Sequence, residues 1–115
     1  MQPESPKLLE DVRCAAQYIV RVTRGKTFSD YISDELLAPA VERHFEIIGE
    51  ALNRPRKTDP QLLDHIDDHA QIIAFRNVLI HGYDAIDPRR VWYAIENSLP
   101  ILHDQVVKLL EGTNN

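Results

Sequence analysis

The sequence is poor in the features that mark several large classes of protein. Its 115 residues include one cysteine, Cys14, so no disulfide can form within the chain and a reducing cytoplasm is the expected compartment. No run of about 18 apolar residues is present, so no membrane-spanning helix is predicted. The N-terminal residues lack the basic start and apolar stretch of a secretion signal. We therefore expect a cytoplasmic protein without a membrane anchor.

Positive charge is also scarce. The chain carries 13 lysines and arginines against 18 aspartates and glutamates, which gives a formal net charge of −5. A protein that coats nucleic acid without selectivity would carry a broad basic field, and this balance argues against that class. The balance still allows an enzyme with a small basic cleft.

Signals for β-structure are missing, whereas helical periodicity is frequent. The chain has four glycines and no Asn-Gly or similar hairpin dipeptide. Apolar residues recur at helical spacing in the stretches that begin near Leu8, Leu37, His69 and Val91. The sequence predicts a single all-α domain over residues 1–115, folded as an up-and-down helical bundle of about four to five helices.

The starts of these helices are marked by capping residues and prolines. Ser5-Pro6, Asp59-Pro60 and Asp87-Pro88 each combine a capping residue with a proline suited to the first turn. Residues 27–30 have the form of a capping box. Pro39 falls inside an apolar pattern, where we expect a kink or a fresh helix start.

The ends of the later helices are predicted from glycine and proline. A helix should run from about residue 69 to residue 80 and break at Gly82. Pro100 should bend the last helix, and Gly112 should close it. A loose tail is expected over residues 112–115.

The segment Arg76-Asn77-Val78-Leu79-Ile80-His81-Gly82-Tyr83 gathers chemically active side chains at one helix end. Arg76 and Tyr83 are seven residues apart and share a face of a regular helix. Arg76 and His81 are five apart and lie about 140° from one another around the helix axis. His81 must therefore be redirected by Gly82, or it must meet Arg76 from a second copy of the chain.

An arginine and a histidine suit RNA cleavage. Histidine exchanges protons near neutral pH and can take the proton of a ribose 2′-hydroxyl, while arginine can brace phosphate oxygens where charge builds up. The reaction would need neither metal nor cofactor, and its internal nucleophile would restrict it to RNA. Spacing alone favours a structural role, because a histidine also stabilises a helix C-terminus and arginines commonly pair with carboxylates.

The same segment resembles the R-N-x-x-x-H-x-Y signature of HepT-like HEPN ribonucleases, and the resemblance extends over about residues 8 to 110. Residues 40–52 resemble the second-helix block of the family, and residues 83–102 its C-terminal block. The resemblance implies a helical-bundle homodimer in which the motifs of two copies form one cleft that cuts RNA without metal. It implies catalytic roles for Arg76 and His81 and a supporting polar role for Asn77.

The resemblance also implies a partner. HepT-like toxins are silenced by a minimal nucleotidyltransferase antitoxin, in several systems through AMP added to the motif tyrosine, which is Tyr83 here. The chain would then be the endoribonuclease toxin of a toxin–antitoxin pair. The alternative is a non-catalytic HEPN module that binds a nucleotide or holds a nucleotidyltransferase partner, because binding and cleavage would both use Arg76 and His81.

Two histidines allow a metal hypothesis. His65 and His69 are four residues apart and would share a helical face, a spacing that can hold zinc. Ile66, however, follows the first histidine, where a zinc protease of the H-E-x-x-H type has glutamate. A solvated acidic turn is the favoured interpretation.

The second long helix contains two acids and one glycine of interest. Glu46 and Glu50 are four residues apart and could face Arg76 across the bundle, although ordinary ion pairs are an equal alternative. Gly49 lies in the middle of this helix, where glycine costs up to about 1 kcal/mol relative to alanine. We expect a close helix–helix approach there, either within the chain or at a dimer seam.

Some remaining residues have both functional and structural interpretations. The basic clusters at residues 54–57 and 21–26 could hold RNA phosphates or could be solvated helix ends. Trp92 and Tyr93 could stack a base, but Trp92 suits a core position better. Cys14 is expected to be a small buried apolar residue.

Overall fold

Helices make up the fold in a computed structural model that describes residues 1–82, 84 and 86–113. The helices are α1 (Ser5–Thr23), α2 (Phe28–Ser33), α3 (Leu37–Asn53), α4 (Pro55–Thr58), α5 (Pro60–Leu63), α6 (His69–His81), α7 (Pro88–Tyr93) and α8 (Leu99–Thr113). A π-helical segment, Ala94–Ser98, joins α7 to α8 without a break. These residues contain no strand, and the prediction of an all-α helical bundle is confirmed.

The bundle is built around α1 and α3. α1 packs against α3 and α8, and α3 packs on its other side against α6. Apolar residues three and four apart turn one stripe of each helix inward, and the buried set includes Val12, Ile19, Val41, Ile48 and Val106. The helical spacing of these apolar residues thus forms the core.

Several predicted boundaries are confirmed. The Thr27 hydroxyl accepts a hydrogen bond from the Asp30 amide at 3.1 Å, and the Asp30 carboxylate accepts one from the Thr27 amide at 2.8 Å, which completes the capping box. Asp87 caps α7 by accepting from the Arg89 amide at 2.9 Å. Pro39 lies in the first turn of α3, where its missing N–H leaves no bond unmade.

The two other predicted caps bond to each other instead. Ser5 is the first residue of α1 and is buried, and its hydroxyl donates to the Asp59 carboxylate at 2.9 Å. The backbone N–H of Gln2 donates to the same carboxylate oxygen at 2.9 Å. These bonds, first that from Gln2 and then that from Ser5, hold the pKa of Asp59 below its ordinary value. Neither side chain caps its own helix, because both are used to fasten the N-terminus to the α4–α5 corner.

The C-terminal helix has a wider turn before Pro100 and does not end at Gly112. Pro100 has no N–H, and its ring cannot fit beside the carbonyl four residues earlier, so the preceding turn widens. The Leu99 N–H accordingly reaches the Ala94 carbonyl, five residues back, and the helix continues. The prediction that Gly112 closes α8 is wrong, because the helix runs on to Thr113. Residues 114–115 lie outside the described part.

Two single-residue expectations had different outcomes. Cys14 is exposed on α1, so the prediction of a buried cysteine is wrong. Trp92 is partly buried against the core, with its ring centroid 5.6 Å from that of Tyr31, as expected of a packing residue. Among the residues described, no helix is both long enough and apolar enough to cross a membrane.

α3 and α6 approach each other closely at Gly49. A Cβ atom added there would stand 2.3 Å from the Arg76 Cβ and 2.8 Å from its Cγ, both far inside van der Waals contact. The expected close approach is confirmed, and it occurs within the chain. Glycine is therefore required at residue 49 for this packing, because α6 places the Cβ and Cγ of Arg76 against the α3 backbone.

We expect Gly49→Ala to destabilise the fold. The added methyl meets the Arg76 Cβ rather than the movable end of a side chain, so the two helices must separate. Overpacking of this kind costs about 1–3 kcal/mol, which outweighs the helix-propensity gain of up to about 1 kcal/mol. Urea unfolding followed by circular dichroism measures the difference in the free energy of unfolding.

Gly112→Ala is the matched control. Gly112 also lies within a helix, but a Cβ added there would meet no atom within 4 Å. Its substitution should change the free energy of unfolding by no more than about 0.5 kcal/mol. Equal stability of Gly49→Ala and the unmodified chain would contradict the account of this contact.

Candidate active site

The residues before α6 form a turn. Asp68 has a left-handed backbone with φ of 57°, and α6 begins at the next residue, His69. His65 therefore lies outside any helix, and the two histidines do not share a helical face. Asp64, Asp67 and Asp68 are exposed, as predicted for a solvated acidic turn. Within the described ranges, no three His, Cys, Asp or Glu side chains are grouped to hold a metal ion.

α6 ends where the sequence predicts. His81 is its last residue, and the Gly82 N–H donates to the Val78 carbonyl at 2.8 Å. Since the helix remains α-helical through His81, Gly82 does not redirect this histidine toward Arg76. Arg76 and His81 thus remain about 140° apart around the axis of α6.

Arg76 is half-buried, and its guanidinium has no carboxylate partner in the part of the chain that the structure describes. Its Nη1 donates to the Asn77 Oδ1 at 2.8 Å. Its Nε is buried and has no hydrogen-bond partner among the described residues. A purely structural arginine in this position would be expected to pair with an acid. This cation keeps an unused donor instead.

The acids expected near Arg76 are engaged elsewhere. Glu46 accepts from Arg43 at 3.2 Å, and Glu50 lies 3.9 Å from Arg54. Both pairs lie within or at the end of α3. The hypothesis that these carboxylates orient Arg76 is wrong, and the alternative of ordinary ion pairs is what the structure contains.

His81 lies on the outer face of α6. With Ala70, Ala74 and Asn77 it forms an exposed stripe at helical spacing, on the side turned away from α3. α6 packs chiefly against α3, so the described part of the chain leaves this stripe exposed. His81 itself makes no hydrogen bond or ion pair with any other residue that the structure describes. Its ring is free to meet a substrate or a second chain.

Tyr83 lies outside the described residues, so its predicted position on the Arg76 face stays a prediction. Of the basic clusters, Arg54 lies near Glu50, and Arg56 donates to the Asn53 side chain at 3.2 Å. The Arg21 guanidinium lies over the ring of Tyr18, 5.4 Å from its centroid. These contacts are typical of solvated helix surfaces.

Two residues beside this site were not predicted from the sequence. Arg89 and Arg90 line a groove between α6 and the C-terminal helix, together with Phe75 of α6 and Tyr93 of α7. A signal was available, because neither arginine has an acid three or four residues later with which to pair along the helix. Tyr93, considered for base stacking, is 64% exposed in this groove.

Comparisons with known proteins agree on one family. A family model described as Ribonuclease HepT-like matches residues 12–109. A protein of Caldanaerobacter subterraneus subsp. tengcongensis named "Putative RNase" is 29% identical over 103 residues, which cover 90% of this chain and 91% of that one.

A second relative, from Thermococcus cleftensis, is named "Probable ribonuclease HepT". It is 33% identical over 101 residues, which cover 88% of this chain and 91% of the relative. No solved structure gives a significant match. The family model spans most of the helices described above, and it includes Arg76, Asn77 and His81, so the chain belongs to the HepT-like ribonuclease family.

Proposed function

We propose that this chain is a metal-independent endoribonuclease toxin that cleaves RNA with Arg76 and His81. The observation that carries the proposal is the state of Arg76, whose Nε is buried without a partner while Asn77 holds its Nη1. Leaving a buried charged donor unsatisfied is costly, so its persistence favours a function such as phosphate binding. Membership of the HepT-like ribonuclease family supports RNA as the source of that phosphate.

The proposed chemistry divides between the two residues. His81 takes the proton of the ribose 2′-hydroxyl, and the resulting oxygen attacks the adjacent phosphorus. The bond from phosphorus to the 5′-oxygen breaks, that oxygen takes a proton from water, and a 2′,3′-cyclic phosphate remains. His81 then returns its proton to the solvent. Arg76 stabilises the negative charge that builds on the non-bridging oxygens. Neither step needs a metal ion, because the two side chains supply the base and the positive charge.

The site would be completed by a second copy of the chain. The Cβ and Cγ of Arg76 pack close to Gly49 of α3, whereas His81 lies on the outer face of α6. Arg76 and His81 of the same chain therefore do not face each other. Two-fold packing of the exposed α6 stripes would bring His81 of each copy toward Arg76 of the other. The small side chains of Ala70 and Ala74 would let the helices approach closely. We therefore propose a homodimer with a shared cleft.

The proposed partner is a minimal nucleotidyltransferase antitoxin that adds AMP to Tyr83. The phosphodiester of AMP would carry a negative charge, which could pair with Arg76 and occupy the place of the RNA phosphate. The cytoplasm, where RNA and a nucleotide donor are available, would be the compartment of both proteins. The second candidate, a non-catalytic module that grips a nucleotide, rests on the same free guanidinium and differs only in turnover.

We expect Arg76→Ala and His81→Ala each to reduce RNA cleavage by about a hundredfold or more, because each removes a group that acts in the transition state. Cleavage by the unmodified chain should persist in EDTA and leave 2′,3′-cyclic or 3′-phosphate ends. Gel analysis of a labelled RNA measures the rates, and treatment of the products with a phosphatase identifies the ends.

Lys108→Ala is a suitable control, because it removes an exposed charge from α8 and should leave the cleavage rate unchanged. If the unmodified chain binds RNA or nucleotide without cleaving it, the non-catalytic alternative is correct. Cleavage that EDTA abolishes and zinc restores would refute the metal-independent mechanism.

Co-expression with the nucleotidyltransferase partner should raise the mass of the chain by one or more AMP units at Tyr83. Tyr83→Phe lacks the acceptor hydroxyl, so it should cleave RNA and yet escape silencing. Intact-mass spectrometry and growth assays measure the two effects. A Tyr83→Phe chain that the active partner silences as fully as the unmodified chain would show that inhibition is steric.

A further inference from the structure

A groove of about 610 Å³ separates α6 from the continuous helix formed by α7, the π-helical segment and α8. Its apolar lining includes Ile48 of α3 and Ile72 and Phe75 of α6. Tyr93 projects from the opposite side and is 64% exposed, although its ring is among the largest apolar groups of α7. An aromatic ring left this open beside a groove is available for stacking.

The two ends of the groove carry opposite charge. Arg89 and Arg90 line one end, and neither has an acidic partner in the described part of the chain. Asp67 and Asp68 line the other end, where the Asp67 amide donates to Gln105 of α8 at 2.9 Å. Gln105 lies fifteen residues beyond Arg90, which is roughly 22 Å along the helix. Cations and acids are thus well separated.

The basic end is the end nearer the R-x-x-x-x-H motif. α6 begins beside Gln105, at the acidic end, and finishes at His81, from which a short connection leads back to α7. α6 and the C-terminal helix therefore run in opposite directions, so Arg89 and Arg90 lie toward the His81 end of α6. Phe75, which lines the groove, immediately precedes Arg76.

The groove wall also contains the π-helical segment. Tyr93 comes directly before it, and Asn97 within it donates from Nδ2 to the Tyr93 carbonyl at 3.1 Å. Asn97 is also one of the residues that line the groove. π-helical turns inside α-helices are frequent at functional sites.

We propose that this groove binds a single-stranded segment of the RNA substrate. Tyr93 stacks on an unpaired base, while Arg89 and Arg90 hold the phosphates that lead toward Arg76 and His81. A duplex would keep its base faces within its own stack, so an aromatic platform selects unpaired RNA. The inference rests on the proposed ribonuclease function, to which it adds the form of the substrate and the residues that position it.

Binding can be measured in the full-length chain carrying His81→Ala, so that RNA is not consumed. The probe is a short fluorescein-labelled oligouridylate, followed by fluorescence anisotropy. Tyr93→Ala should weaken binding about tenfold, the scale of one lost base–aromatic stack, and Tyr93→Phe should stay within about twofold because it keeps the ring. Arg89→Ala/Arg90→Ala should weaken binding and reduce the slope of log K against log salt by about 1.4.

Arg56→Ala/Lys57→Ala is the matched control, since it removes two positive charges from α4, outside the groove. It should keep the affinity within about twofold. Equal losses in the two double variants would reflect general charge attraction and overturn the inference. It would also be overturned if Tyr93→Ala bound the probe as tightly as its parent. A third contrary result would be that Tyr93→Ala changes the oligomeric state of the protein but not its affinity for the probe. The groove would then be an interface between two copies of the chain.

The cleavage rate of the same groove variants with His81 intact separates this inference from the proposed function. If the chain cleaves RNA and Tyr93→Ala leaves both affinity and KM unchanged, the groove inference fails and the ribonuclease proposal stands. If Tyr93→Ala weakens binding but the chain never cleaves RNA, the groove inference stands and the ribonuclease proposal fails. The inference predicts a raised KM with little change in kcat.

Discussion

The contact between Gly49 and Arg76 is the constraint on which the candidate site depends. Because Gly49 has no side chain, α6 can approach α3 until the Arg76 Cβ occupies the space that a Cβ at residue 49 would need. The Cβ and Cγ of Arg76 are thereby held against α3. The Arg76 Nε is buried and has no hydrogen-bond partner among the described residues. The same approach turns the opposite face of α6, with His81, away from the bundle. One packing contact thus sets the positions of both catalytic candidates.

The charge distribution fits an enzyme with a local site better than a general nucleic-acid binder. The net charge of −5 resists nonspecific attraction to polyanions. Near the motif, Arg76, Arg89 and Arg90 have no acidic partner among the described residues. Glu46 and Glu50, which could have neutralised Arg76, instead associate with Arg43 and Arg54. Affinity for phosphate would then depend on a few side chains around α6.

Much of the fold could be predicted from the sequence because its signals are local. The capping box at Thr27, the cap at Asp87 and the end of α6 at Gly82 each depend on neighbours within a turn. One of the errors involves distant residues. The Asp59 carboxylate accepts a hydrogen bond from Ser5, more than fifty residues away, instead of capping α5. No local sequence pattern encodes that pairing. The motif predicted Arg76 and His81 as candidates, but the groove beside Arg89 appears only when two helices are packed together.

The central claim is that Arg76 and His81 of different copies act together, and mixed subunits test it most directly. Arg76→Ala and His81→Ala chains, each inactive alone, should form heterodimers with one intact site after unfolding and refolding together. An equal mixture should recover about a quarter of the unmodified activity, because half of the dimers are mixed and each has one complete site. A chain with both substitutions should abolish activity in every dimer that it forms with an unmodified chain. If the first mixture stays inactive, and dimers with the double variant keep half of the activity, the site lies within one chain and the account is contradicted.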